Sequence, residues 1–288
     1  MTCREKERRW EESISIGVTR MNLCFQIKSI AGFLLILDFQ QAGTKAQPRR
    51  AVQGPDCTAI FAANASLPSG VYRIKPKHYH KSFEVFCEKR YDGGWTIIQR
   101  RNGQGVYGGP EDFRRWMSEY EKGFGHVDFE HWLGLVYIHA LTHQTDKKCE
   151  LRVDMRNCKG KKGYAVYKTF EIGNEDEKYR LSLGKYRGNV GDAFRGLEPS
   201  ENQDGNFFSA VDSDNDDCGP CFVGDEAFDS CAGELYGSGW WFSNCGMADL
   251  NGMWHPKDSC RGWVSGVYWK TWSNIDSLLF SELKIKCA

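Results

Sequence analysis

Residues 239–254 read GWWFSNCGMADLNGMW. The adjacent Trp240 and Trp241 carry so much apolar surface that both indoles are expected in a core rather than in a ligand pocket. The same aromatic, glycine-rich character extends outward through the 288 residues, which are 41% hydrophobic and 14% aromatic, with Gly 31 and Trp 10. This is the composition of a compact, turn-rich protein and not of a disordered or collagen-like one. Lys+Arg 38 balance Asp+Glu 38, so no global positive field gathers phosphates, and no nucleic-acid partner is expected. The 12 cysteines point to an oxidising, extracellular setting.

Upstream of that stretch, period-two patterns predict strands in GVYRIKP, SFEVFCEK and WTIIQRR, separated by turn signals such as Asp92-Gly93-Gly94. CELRVDM places Cys149, Leu151, Val153 and Met155 on one face and pairs with YAVYKTFEI as a hairpin, and LLFSELKIK supplies the last strand. EDFRRWMSEYEKGFG spaces Phe113, Trp116 and Tyr120 at i, i+3 and i+7 and ends at Gly123, which predicts an amphipathic helix. The fold class expected is α+β, dominated by antiparallel sheet, with long loops and few short helices.

From Met21, a short region with Lys28, an apolar run from Ile30 to Leu37, and small residues at Thr44 and Ala46 read as a signal peptide. The run is too short for a transmembrane anchor. Residues 1–46 are therefore an upstream segment plus signal peptide with the true start at residue 21, 47–55 a short linker, and 56–288 the folded domain. The protein is expected in the extracellular space, its mature chain beginning between about Gly43 and Gln53. Loss of Cys3 and Cys24 would leave an even set of cysteines. No heptads or Gly-X-Y triplets build an oligomerising arm, so a monomer or a small disulfide-linked oligomer is expected. Asn64-Ala65-Ser66 is a glycosylation sequon at Asn64.

DFRRWMSEYEKGFG, EHWLGLVYIHALT, Gly191-Asp192 and GWWFSNCGMADLNGMW together resemble the fibrinogen C-terminal domain, and Cys245-Gly246 with Leu250-Asn251-Gly252 resembles the angiopoietins within it. The resemblance covers about Pro55 to Cys287. It implies one globular unit whose carboxy-terminal, loop-rich subdomain holds calcium and ligand sites. It also implies the disulfides Cys57–Cys87 and Cys231–Cys245. Six further cysteines, Cys149, Cys158, Cys218, Cys221, Cys260 and Cys287, allow 15 connectivities. One is disfavoured: an extended strand from Cys149 puts Cys158 roughly 25 to 30 Å away at roughly 3.3 Å per residue, beyond a Cα separation limit of about 7 Å.

The acidic run from Asp212 to Asp217 suits a hard cation, which wants converging carboxylate and carbonyl oxygens. By the family pattern, Ca2+ falls on the carboxylates of Asp214 and Asp216 and on the backbone carbonyls of Cys218 and Pro220. Residues 218–230, CGPCFVGDEAFDS, make this loop several residues longer than the family's. Cys218-Gly219-Pro220-Cys221 imitates a thioredoxin motif but follows an acidic loop instead of opening a helix. A local structural disulfide, or partners elsewhere, is expected.

In the lectin members an acetyl pocket forms beside the second disulfide, next to a cis peptide before its cysteine. By motif it maps to Tyr236, Asn244, Cys245, Trp263 and Val264, with the Asn244–Cys245 bond expected in cis. Gly246 stands where the family usually has a histidine. His78 and His80 read as a surface loop, and Ser265 lies one place late for a nucleophile elbow, so no enzyme is expected. The function expected is that of a secreted, calcium-stabilised ligand for a cell-surface receptor; the alternative is a soluble innate-immune lectin for acetylated sugars, with a glycan as partner.

Overall fold

The computed structural model describes residues 52–255, 262 and 265–288. The expected signal peptide, the linker as far as residue 51, Cys260, Trp263 and Val264 lie outside the described residues. The strands Gly70–Ile74, Phe83–Arg90, Gly93–Arg101, Phe280–Cys287, Cys149–Arg156, Lys162–Tyr167 and Tyr186–Gly188 lie side by side in that order, every neighbour antiparallel. The short pair Phe124–Gly125 and His131–Trp132 attaches to Gly93–Arg101. The last strand of the chain is thus a central one.

Alternation explains why Cys149–Arg156 is a strand: Cys149, Leu151, Val153 and Met155 are buried, and their neighbours are half-buried or exposed. Phe280–Cys287 is buried on both faces. Leu283 and Ile285 enter the apolar core, while Lys284 meets Asp154 at 2.9 Å and Glu282 at 2.8 Å on the other side. Register sets Cys149 opposite Cys287, and the two form a disulfide. Cys149 therefore does not pair with Cys158, which is disulfide-bonded as well. The helix Cys57–Ala63 begins at Asp56, whose Oδ1 accepts from the Ala59 N–H at 2.8 Å, and Cys57–Cys87 fastens it to the sheet.

The expected helix over residues 111–125 is shorter in the structure, running only from Met117 to Lys122. Tertiary contacts hold the preceding residues in a loop: the Phe113 ring lies 3.9 Å under the Arg101 guanidinium, and Glu130 Oε2 takes the Glu111 N–H at 2.6 Å. Phe113 and Tyr120 are buried as the spacing required, but Trp116 is 64% exposed. YAVYKTFEI is likewise divided, into Lys162–Tyr167 and Phe170–Ile172.

Beyond the sheet, the described residues between 190 and 278 have few regular elements and are organised by aromatic rings. Trp240 and Trp241 are fully buried, as the sequence implied. Trp240 stacks on Phe194 with centroids 5.6 Å apart, and the Trp241 Nε1–H donates to the Tyr179 carbonyl at 2.8 Å. Among the described residues no helix is long and apolar enough to cross a membrane.

Candidate functional site

Where the sheet meets the loop-rich region, a buried ion pair ties three segments together. Arg101, at the end of its strand, donates from Nε to Glu130 Oε1 at 3.3 Å and from Nη1 to the carbonyls of Asn251 and Gly252 at 3.3 and 2.9 Å. Its guanidinium lies 3.9 Å from the centre of the Phe113 ring. Glu130 Oε1 accepts further from the amides of Asn102 and Gly103. These bonds compensate the desolvation of both charges, although burial still holds the Arg101 guanidinium below its ordinary pKa. Nearby, Asp249 is fully buried and accepts from Ser238 Oγ at 2.7 Å and the Asn251 N–H at 2.9 Å. Burial pushes its carboxyl up to about 7.

This clamp floors a cavity of 380 Å³ walled by Glu111, Asp112, Arg114, Tyr236, Met253 and Trp254. Of the expected ligand residues that are described, Tyr236 lines it and Asn244 and Cys245 do not. Its ring is 5% exposed and packs on Phe242 and Tyr268. Met253 is 55% exposed at the cavity. The sequence reading missed Arg101, Met253 and Trp254; the one available signal was a charged residue, Arg101, closing the apolar strand WTIIQRR.

Asn244 is exposed and Cys245 buried, and the Cys231–Cys245 disulfide forms as expected. The Asn244–Cys245 peptide bond is trans; the cis bond among the described residues is Gly219–Pro220. The turn is made instead by consecutive left-handed residues, Cys245 at φ 58° and Gly246 at φ 78°, and the Gly246 N–H reaches back to the Asn244 carbonyl at 2.9 Å. Glycine is required there on two counts, since a Cβ would also approach Gln203 Nε2 to 2.4 Å. That amide holds the Ala248 carbonyl at 2.9 Å.

In the acidic loop, Asp216 accepts the Cys218 N–H on one oxygen and the Cys231 N–H on the other, both at 2.9 Å. Asp214 accepts the Asp216 N–H at 3.3 Å. Burial, with the Asp214 charge beside it, pushes the Asp216 carboxyl up to about 6. Two crowded carboxylates with spare lone pairs form a donor set whose chemistry suits a hard cation.

Cys218 and Cys221 form the local disulfide that the CGPC spacing allowed. The segment continues as a hairpin, Cys221–Val223 against Glu226–Phe228, with Phe222 67% exposed. Cys221 Sγ lies 2.9 Å from Asn244 Oδ1, so the hairpin is rooted against the expected pocket. His78 and His80 are on the surface, His78 Nε2 at 2.7 Å from Thr145 Oγ1. Asn64 is exposed, at the end of its helix.

A family model described as the C-terminal globular domain of fibrinogen beta and gamma chains matches residues 53–288. Human fibroleukin is 35% identical over 257 residues, covering 88% of this chain and 54% of its own length. Bovine fibrinogen-like protein 1 is 37% identical over 229 residues, 76% of this chain and 67% of its own. The chain thus spans about half the length of the fibroleukins it matches. Among solved structures, the fibrinogen-like globe domain of human ANGPTL2 superposes with a TM-score of 0.67 at 33% identity, covering 81% of this chain and 98% of that one. A lamprey fibrin D-dimer, complexed with the peptide ligand Gly-His-Arg-Pro-amide, gives 0.70 at 31% identity over 85% of this chain and 79% of its own. The sheet, the aromatic carboxy-terminal half and the span of these matches agree: the chain belongs to the family of fibrinogen C-terminal globular domains.

Proposed function

We propose that this protein is a secreted recognition domain that binds a cell-surface receptor as a protein ligand through its carboxy-terminal half, stabilised there by calcium. The observation that carries the reading is the cavity beside Tyr236. It has an exposed apolar residue, Met253, and charged walls in Glu111, Asp112 and Arg114. Such a mixture suits a protein epitope, whose binding energy concentrates in a few aromatic and arginine contacts. Exposed Phe222 adds a second apolar point on the inserted hairpin. The related lamprey structure, which holds a peptide, supports a peptide or protein ligand for this fold. Gly246 removes the imidazole that a small acetylated ligand would use. The calcium would sit on the carboxylates of Asp214 and Asp216 with the carbonyls of Cys218 and Pro220, supplying charge that holds the acidic loop closed.

The test is competition on receptor-bearing cells in calcium. An unlabelled copy displaces the labelled protein and excess N-acetylglucosamine does not. Equal displacement by the sugar or by acetylated albumin overturns the proposal in favour of a lectin for acetylated sugars.

A further inference from the structure

Two disulfides meet in the carboxy-terminal half. The sulfurs of Cys218–Cys221 and Cys231–Cys245 all lie within 4.8 Å of one another, and Cys221 Sγ is 3.6 Å from Cys245 Sγ across the two bonds. Among the described residues no other group of cysteines gathers in this way. A sulfur nucleophile held about 3 to 3.5 Å from its target reacts as an intramolecular partner, at effective concentrations far above any thiol in solution. The Cys221–Cys245 contact, at 3.6 Å, lies just beyond that range and within reach of a small hairpin movement.

The surroundings permit the exchange. All four cysteines are buried, with Cys218, Cys245 and Cys221 keeping 7%, 6% and 5% of their surface open and Cys231 none, so Cys218 offers a small thiol its widest approach. Gly219 and Gly224 face open space, and residues 224–227 of the hairpin are exposed, so the segment can move without displacing core. Cys231 opens the turn that carries Tyr236, a residue of the cavity wall, and Cys245 forms the left-handed turn beside Asn244.

We infer that these four cysteines form an intramolecular disulfide-exchange site with two pairings, Cys218–Cys221 with Cys231–Cys245 and Cys218–Cys231 with Cys221–Cys245. A small-molecule thiol, entering as its thiolate, attacks Cys218 Sγ; a mixed disulfide forms and Cys221 leaves as thiolate. Cys221 Sγ then attacks Cys245 Sγ, breaking the Cys231–Cys245 bond and releasing the Cys231 thiolate. Cys231 Sγ attacks Cys218 Sγ and expels the small thiolate. Three S–S bonds form and three break, no electrons are gained or lost, and the thiol is regenerated. The second pairing shifts the carbonyls of Cys218 and Pro220 and the turn holding Tyr236 together, linking thiol exposure to the shape of the binding surface.

Folded protein incubated with catalytic reduced glutathione, quenched in acid, alkylated and mapped by mass spectrometry tests this. Linked peptides Cys218–Cys231 and Cys221–Cys245 are expected at about a tenth or more of the native pair, the population left by a gap of about 1.4 kcal/mol. In Cys218→Ala, alkylation is expected to divide between Cys221 and Cys231. In the double variant Cys218→Ala with Cys221→Ala, Cys231 should stay unlabelled under the same thiol. Native linkages alone in the wild type, label confined to Cys221 in the single variant, or equal labelling of Cys231 in the double variant would each overturn the inference. If the single variant does not fold, the wild-type map decides.

Discussion

The sheet and the loop-rich half of this molecule solve the same problem by different means. In the sheet, ladders of backbone hydrogen bonds set every position, and the Cys149–Cys287 disulfide sits where register already placed both residues. Among the described residues between 190 and 278 there are few ladders, and position is set by side chains: aromatic rings on one another, Asp216 on two amides, Arg101 on two carbonyls. Backbone order tolerates exchange of side chains. Side-chain order does not, so the loop-rich half holds a shaped surface at the cost of depending on a few individual groups.

Breaking the junction gives the largest expected effect. Arg101→Leu leaves Glu130 buried without its charge partner, which costs about 3–5 kcal/mol. Chemical denaturation should show that loss, and hydrogen exchange should show residues 250–254 losing protection before the strands do. Equal loss in both regions would mean that the two halves form one cooperative unit and that the contrast is only descriptive.

A pH titration sharpens the same contrast. The Asp249 carboxyl, pushed up to about 7 by burial, keeps its proton in the folded state where an unfolded aspartate with a pKa of about 3.9 has lost it. Its contribution is therefore complete below about pH 4 and falls as pH rises through about 7, by a few kcal/mol in all. Asp249→Asn keeps the size of the group and should flatten this decline in thermal stability between pH 5 and 8. A decline of unchanged slope would remove Asp249 as its source.

Calcium is expected to act on the loop-rich half alone. Saturation at a hundredfold excess over Kd stabilises by about 2.7 kcal/mol, and Asp214→Ala with Asp216→Ala should abolish the melting shift between calcium and chelator. Identical wild-type melting in both would refute a site at this loop. The smallest effect belongs to the hairpin. Phe222→Ser, at an exposed position, should leave stability within about 0.5 kcal/mol while weakening cell binding, and unchanged binding would take the hairpin out of the contact surface.

The two halves also differed in how far they could be read from the chain. Strand Cys149–Arg156 was legible because alternation is a local signal that burial enforces. The Cys149–Cys158 pair could be rejected from chain length alone. Local signals misled at residues 111–116, where the apolar spacing suits a helix but packing of Phe113 under Arg101 and the Glu111 amide on Glu130 hold a loop. The Arg101–Glu130–Asn251 clamp joins residues 29 and 150 positions apart, and a charged side chain in sequence reads as solvent-facing until its partner is known. The resemblance pointed to residues around Cys245, whereas the cavity in the structure shares only Tyr236 with the described part of that set. It could not foresee that Gly246, pressed against Gln203, would make the turn with left-handed residues and a trans bond.

The central place of Phe280–Cys287 governs the order of assembly. Until those residues have left the ribosome, Gly93–Arg101 and Cys149–Arg156 have no neighbour between them, and each presents a bare strand edge of the kind that recruits foreign strands. Cys149 must wait, as a free thiol, for a partner 138 residues away. The sheet therefore cannot close before the final strand is available to pair with both neighbours. A chain stopped short of residue 280 would lose the seam of the whole sheet and leave Cys149 without its partner.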